Sequence, residues 1–300
     1  MKALVALAPA KVNLVLAVGR PRAGDGLHPV VSLVQALSLA DELRLEAAPP
    51  EARRDEVRCP GVTGRNLAAD ALAAYRAATG WDGAPVRLTI AKRVPVAAGM
   101  GGGSSDAAAA LRLVATAAGR PEDPVLPELA RGLGSDVPAL LLGGRTLGTG
   151  AGELVTPLPE GDRFGVLVLA SEARLATPAV YREFDRLALG RSEEALEALA
   201  RELGPRDDAR RSAAARSLAS VNDLEPAARS LAPSIDAALA ALRATGAEPV
   251  MVSGSGPTVF GRFGGADGPA RARAAALALP GAVAVEPVGP EFGRPRPAGP

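Results

Sequence analysis

Pro95-Val96-Ala97-Ala98-Gly99-Met100-Gly101-Gly102-Gly103-Ser104-Ser105-Asp106, followed directly by Ala107 to Ala110 and Leu111, is the stretch on which the reading of this chain turns. Val86 to Ile90 reads as a strand leading into it, and a helix from about Ser105 to Ala118, stopped by Gly119, leads out. Four glycines let the backbone approach an anion closely and take positive φ where needed. The start of the following helix offers unpaired N–H groups and the positive end of its dipole. Ser104 and Ser105 are placed to cap that helix or to hold phosphate and a magnesium ion. The Gly-Lys-Ser/Thr of a P-loop is absent, and Ser104 stands where a dinucleotide fingerprint needs its last glycine. On pattern alone the choice is between a phosphate cradle of another kind and a tight serine-capped loop.

Working outward, Lys2 to Ala8 and Lys11 to Val18 read as two short strands separated by Pro9-Ala10. Alternation along the second puts Lys11 and Asn13 on one face. A Gly/Pro/Asp loop spans Arg20 to His28, an apolar segment Pro29 to Leu39, and a strand lies near Glu42 to Ala47. Asn66 to Thr79 has helical spacing and ends at Gly80. Leu126 to Leu133 reads as a short helix, whereas Val137 to Leu142 is too short to show a period.

The pattern thins near Pro157 to Arg163, which sets a domain division of 1–160 and 161–288. The second part alternates helices near Pro178 to Leu187, Ser192 to Leu203 and Ala232 to Ala244 with strands near Pro249 to Ser253, Thr258 to Phe263 and Ala282 to Pro287. That combination predicts an α+β sandwich, and the Pro/Gly-rich stretch 289–300 reads as a mobile tail.

Composition narrows the function. The formal charge is +1 and no block of five or six like charges occurs, which argues against a nucleic-acid surface. One cysteine, Cys59, and one histidine, His28, are too few for a disulfide framework or a Cys/His zinc site, and a lone thiol suits the cytoplasm. No run reaches the roughly 18 apolar residues that a membrane span needs. The short apolar start is interrupted by Lys11 and Asn13, so it does not read as a signal peptide. Around Gly254-Ser255-Gly256 the spacing of a nucleophile elbow is missing, which sets a serine hydrolase aside.

Six segments in order then resemble the GHMP kinases: Pro9-Ala10-Lys11-Val12-Asn13-Leu14, Asp25-Gly26-Leu27-His28, Lys92 to Asp106, Gly134-Ser135-Asp136-Val137-Pro138, Asn222-Asp223-Leu224-Glu225 and Ser253-Gly254-Ser255-Gly256. The resemblance covers nearly the whole chain. It is strongest to the branch whose substrate carries a cytidine end. It implies a two-domain α+β fold, the first domain similar to domain 2 of ribosomal protein S5 and the second ferredoxin-like, with the site between them. It also implies an ATP-dependent small-molecule kinase that uses magnesium, with no nucleic-acid or membrane partner, acting as a monomer or weak homodimer.

By the same resemblance Asp136 is the general base for the acceptor hydroxyl, and Lys11 sits beside it to stabilise the developing alkoxide. The ATP site comprises Pro95, Val96, Ala97, Ala98, Gly99, Met100, Gly101, Gly102, Gly103, Ser104 and Ser105, with Asn66 and Lys92 near the adenine. Asn13, His28 and Tyr181 match substrate-binding positions at the cytidine end, and Leu27 stands where an aromatic residue is usual. Ser253 to Gly256 would close over the site from the second domain. No carboxylate identifies itself as a magnesium ligand. From the residues alone, Lys11 as a solvated edge lysine and Asp136 or Asn66 as a simple helix cap stay open. Another GHMP specificity, of the homoserine or mevalonate type, and a nucleotide-binding module without catalysis are the competing functions.

Overall fold

Pro9 and Ala10 do not break the first strand. In the computed structural model, which describes residues 1–96, 98–171, 173–205 and 221–299, strand β1 runs over Leu4–Val18 and its antiparallel partner β2 over Val30–Ala47. The register between them shifts once between Pro9 and Lys11 and again between Asn13 and Val15. Pro9 keeps Ala40 as its partner and Ala10 falls out of the ladder, so the proline sits at the edge of a bulge, where strands tolerate one. Strand β2 is long enough to change neighbours. Its Ser32 to Gln35 pair with β5 (Arg145–Thr149), and its Glu42 to Ala47 pair with β4 (Val86–Ala91). Strands β3 (Glu56–Arg58), β6 (Leu154–Leu158), β8 (Val221–Asn222) and β12 (Arg296–Pro297) complete an eight-stranded sheet.

Helices α1 (Leu67–Thr79) and α2 (Gly102–Ala117) cover one face of this sheet, where Leu72, Tyr75 and Leu111 meet Leu43, Leu88 and Ile90. The buried run Ala107 to Ala110 lets α2 lie close against its neighbours, since methyl side chains leave little between backbones. Helix α3 (Leu126–Leu133) follows, and the segment too short for a period is helix α4 (Val137–Leu142), with Pro138 in its first turn.

The second sheet contains β7 (Phe164–Leu169), β9 (Val250–Val252), β10 (Val259–Gly264) and β11 (Ala282–Val285) in the order β11-β7-β10-β9, all neighbours antiparallel. Numbered within this sheet the order is 4-1-3-2, the ferredoxin-like arrangement that the sequence led us to expect. Helices α5 (Thr177–Arg186), α6 (Glu193–Leu203), α7 (Glu225–Leu231), α8 (Ser234–Ala244) and α9 (Gly268–Ala278) belong to this half. Helices α7 and α9 escaped the sequence reading. The first is too short for a period, and the second, GPARARAAALA, buries only Gly268, Pro269 and Ala272. Val12, Leu14, Leu33 and Leu37 of the first sheet share a core with Val166, Met251 and Phe260 of the second, so the two halves are welded along an apolar seam.

Two stretches of the second half return to the first sheet. Strand β8 pairs in parallel with β1 at Val15 and Leu16. Residues 289–299 are not a free tail, which corrects the expectation for 289–300. A 3₁₀ turn over Pro290–Gly293 leads to β12, which pairs with Leu4 and Val5, and the Ala298 N–H donates to the Ala3 carbonyl. Pro290 packs against Gly143 and Gly144, where a Cβ would lie 3.2 and 2.9 Å from it. Pro300 lies outside the described residues.

A chain ending at Val288 is therefore expected to melt lower than the full chain by about 4 °C or more, a loss of one to two kcal/mol for a domain of this size. Equal melting temperatures by calorimetry would restore the mobile-tail reading.

Candidate active site

The bulge in β1 delivers Lys11. Its backbone N–H donates to the Met100 carbonyl at 3.0 Å, fastening the strand to the glycine loop. Its ammonium donates to Asn13 Oδ1 at 2.8 Å and lies 3.4 Å from Asp136 Oδ2. Asn13 in turn donates to Ser32 Oγ on β2 at 2.8 Å. At 4% exposure Lys11 is not a solvated edge lysine. Asp136 stands at the N-cap position of α4 but makes no side-chain cap bond, so its carboxylate is left for Lys11 and the space beyond.

That space is a cavity of about 160 Å³ lined by Lys11, Asn13, Ser32, Asp136, Tyr181 and the Gly254-Ser255 turn, among others. A second cavity, of about 340 Å³, is lined by Asn66, Lys92, Pro95, Val96 and the loop from Ala98 to Ser104. Gly99 and Gly101 line both. Ala97, expected in the same site, lies outside the described residues.

At Gly99 and Gly101, where the cavities adjoin, there is no room for a side chain. Gly99 has φ of 74°, and a Cβ there would fall 2.6 Å from the Gly256 carbonyl oxygen and 2.7 Å from that of Ser253. Gly101 has φ of 69°, and a Cβ there would sit 3.0 Å from Lys11 Cγ. Both requirements select glycine. The second glycine-rich turn does close over the first: Ser253 Oγ donates to the Gly99 carbonyl at 3.2 Å, and Ser255 Oγ meets Thr177 Oγ1 of α5 at 2.9 Å. The motif Asn222-Asp223-Leu224-Glu225 holds that turn. Asn222 Nδ2 donates to the Val252 and Gly254 carbonyls, each at 2.8 Å, and Glu225 Oε2 accepts from the Val252 N–H.

Neither serine caps α2. The helix starts at Gly102, with Gly101 in the N-cap position and no side-chain cap bond. The start lies three residues earlier than the sequence suggested, so Ser104 and Ser105 fall inside the first turn. The N–H groups at this end have no side-chain cap, and the positive end of a 16-residue helix lies at the second cavity, an electrostatic setting that favours an anion. Ser104 lines that cavity. Ser105 is fully buried, and its Oγ has no hydrogen-bond partner among the described residues.

Lys92 lines the second cavity, but its ammonium is taken by two carboxylates, Asp41 Oδ2 at 2.5 Å and Asp106 Oδ2 at 2.8 Å. Asp41, fully buried on β2, also accepts the Arg93 and Val94 N–H groups and so fixes the entry to the loop. Nothing in the alternation of β2 marked it as part of the site. Two buried carboxylates share one ammonium here, and burial pushes the Asp106 carboxyl up to about 7, with the Lys92 contact opposing the rise. Asp106 Oδ1 has no partner among the described residues. Asn66 caps α1 by accepting the Ala68 N–H at 2.9 Å, and it also lines the second cavity.

At the far side of the first cavity, burial and then the charge of Asp136 push the Tyr181 hydroxyl up to about 12. His28 is not part of the cavity lining. Its ring lies 4.9 Å from that of Tyr181, its Nδ1 donates to the Gly19 carbonyl at 2.8 Å, and its Nε2 is 3.4 Å from Asp185 Oδ2. The structure thus brings Lys11, Asn13, Asp136 and Tyr181 together and sets His28 behind the tyrosine. Leu27 is 50% exposed and touches neither cavity.

Two family models match, GHMP kinases N terminal domain over residues 66–144 and GHMP kinases C terminal over residues 193–284. The 4-diphosphocytidyl-2-C-methyl-D-erythritol kinase of Streptomyces coelicolor is 45% identical over 267 residues, covering 83% of this chain and 84% of the relative. The enzyme of that name from Nocardioides sp. is 42% identical, covering 92% of each chain. A crystal structure of 4-(cytidine 5'-diphospho)-2C-methyl-D-erythritol kinase superposes with a TM-score of 0.72 at 37% identity, covering 95% of this chain and 100% of that one. Homoserine kinase from Cytophaga hutchinsonii gives the same TM-score at 18% identity over 99% and 97% of the two chains, a likeness of fold alone.

The raised Asp106 carboxyl has a measurable consequence. Between its ordinary value of 3.8 and about 7 the folded chain retains a proton there that the unfolded chain has released, so stability falls as pH rises through that window. Asp106→Asn is expected to flatten the fall when melting temperature is followed against pH. Parallel slopes in variant and parent would place the proton elsewhere.

Proposed function

The chain belongs to the GHMP kinase family, and on that footing we propose that it transfers the γ-phosphoryl group of ATP to the 2-hydroxyl of 4-diphosphocytidyl-2-C-methyl-D-erythritol, giving the 2-phosphate and ADP. This is a step of isoprenoid biosynthesis by the non-mevalonate route. The observation that carries the reading is the buried Lys11 beside Asp136 on one side of Gly99 and Gly101, with an uncapped helix start on the other.

ATP lies in the second cavity with its phosphates against the α2 N-terminus, where the loop N–H groups compensate their charge. The methylerythritol end enters the first cavity with its hydroxyl at Asp136. The carboxylate removes the hydroxyl proton, the oxygen attacks the γ-phosphorus, and the bond to the bridging β–γ oxygen breaks to release ADP. Lys11 opposes the negative charge that develops on the attacking oxygen. Its ammonium cannot swing away, because Asn13 and the close fit against Gly101 fix it. In-line transfer needs the two substrates nearly in contact, and the bare Gly99 and Gly101 that line both cavities permit that.

Magnesium fits this donor set as a companion of the nucleotide. Among the described residues no group of three or more His, Cys, Asp or Glu forms a cage of its own, and magnesium typically uses one or two protein oxygens together with substrate phosphates. Ser105 Oγ and Asp106 Oδ1, buried without partners at the first turn of α2, are the oxygens that would hold it. When bound it would neutralise phosphate charge.

Tyr181 offers an aromatic face toward the cytidine end, and His28, anchored through Nδ1, sets the angle of that ring. The protein works in the cytoplasm, where its single free thiol, Cys59, stays reduced, and it acts as a monomer or weak homodimer. No helix among the described residues is long and apolar enough to cross a membrane.

Purified protein is expected to release ADP with this substrate and magnesium, and not with homoserine or mevalonate. Asp136→Asn should lower kcat by about 10²- to 10⁴-fold while ATP binding by calorimetry stays close to the parent. Unchanged turnover would remove Asp136 as the base, and preference for homoserine would move the chain to another specificity.

A further inference from the structure

Arg112 is the one charged residue of α2's alanine-rich body, and the chemistry above does not use it. It lies nearly three turns beyond the start of the helix. Burial draws its guanidinium down to about 10, so the group stays charged at neutral pH. Among the described residues no carboxylate answers it. Nη1 donates to the Leu140 and Leu141 carbonyls at 3.0 and 2.9 Å, while Nε and Nη2 are buried with no hydrogen-bond partner among the described residues. Holding a cation in such a place is unfavourable for stability, and an apolar side chain of similar volume usually serves a core as well or better.

The carbonyls it serves belong to the last turn of α4, the helix whose N-cap residue is Asp136. A helix of six residues has too few internal hydrogen bonds to hold its own direction, so outside contacts set it. The Gly143 N–H takes the Ala139 carbonyl, and Arg112 takes the next two. From the other side the C-terminal segment seals the guanidinium, because a Cβ on Gly293 would lie 2.7 Å from Nη2.

We propose that Arg112 is a positioning residue for the base. Its guanidinium ties the last turn of α4 to α2, and so fixes Asp136 relative to the phosphates that α2 holds at its own start. The lever is short. Six residues of helix span about 9 Å, so a tilt of about 6° at the far end moves Asp136 by about 1 Å. A displacement of that size costs on the order of 10²-fold in rate. The inference rests on Asp136 being the base.

Arg112→Met tests it, with Arg112→Lys and Asp136→Asn measured beside it. Met removes the buried cation but keeps the volume, so melting temperature should hold or rise. The value of kcat should fall by about 10- to 100-fold, with KM for ATP changed less than about twofold. Lys, which still donates to a carbonyl, should recover most of the rate. A parental kcat in folded Arg112→Met overturns the inference, as does a fall in kcat matched by an equal rise in KM for ATP. Where Arg112→Met yields no folded protein, Arg112→Leu takes its place, since it also removes both bonds to the α4 carbonyls and leaves an apolar side chain in the core. It carries the same expectation, and an unchanged kcat in it is the same contrary result. Loss of turnover in Asp136→Asn with none in Arg112→Met leaves the base in place and removes only its tether, whereas turnover retained in Asp136→Asn removes the base itself.

Discussion

Gly99 and Gly101 line both cavities, and the lack of room for a side chain at either is the constraint around which the rest is arranged. Gly99 is pressed against the Gly256 and Ser253 carbonyls, and Gly101 against the stem of Lys11, so neither position has space for a Cβ. Glycine positions contribute no side-chain packing to hold the loop's shape, and it is fastened from outside at both edges. Lys11 grips the Met100 carbonyl through its backbone, Ser253 grips the Gly99 carbonyl through its hydroxyl, and Asp41 collects the two N–H groups where the loop begins. These anchors come from both sheets, which explains why the halves share an apolar seam instead of meeting loosely.

Charge is distributed on either side of these glycines with little slack. Below the loop, Lys92 is shared by Asp41 and Asp106, and the proton that burial holds on Asp106 up to about pH 7 relieves the second carboxylate's charge. Above it, Lys11 and Asp136 face the other cavity. Buried charged groups of this kind contribute little net stability and instead fix geometry, because each is tolerable only with its partners in place. Arg112 belongs with them: its value lies in where it holds α4.

The parts of this site that could be read from the sequence are those in which the residue type is itself the chemistry. Four glycines before an alanine-rich helix announce close backbone approach, and Lys11 two residues before Asn13 announces a shared face. The order of six short motifs carried the fold. What could not be read was set by contacts distant in sequence. Pro9-Ala10 looked like a chain break because a bulge is defined by its partner strand, which one strand's sequence does not reveal. Ser104 and Ser105 looked like caps, but the helix begins earlier, at glycines whose local propensity disfavours it. Asp41 has no local signal, since its partners are fifty residues away. The C-terminal stretch has the composition of a mobile tail, yet its Pro290 and Gly293 fit the end of α4 and the guanidinium of Arg112.

The central claim is that the phosphoryl group passes directly between the two cavities, from a nucleotide held by α2 to a hydroxyl held at Asp136, with no covalent stop on the protein. The stereochemistry at phosphorus tests this most directly. With ATP made chiral at the γ-phosphorus by oxygen isotopes and sulfur, a single in-line displacement predicts inversion of configuration in the product. Retention would mean two displacements and a phosphorylated enzyme, and would contradict the account.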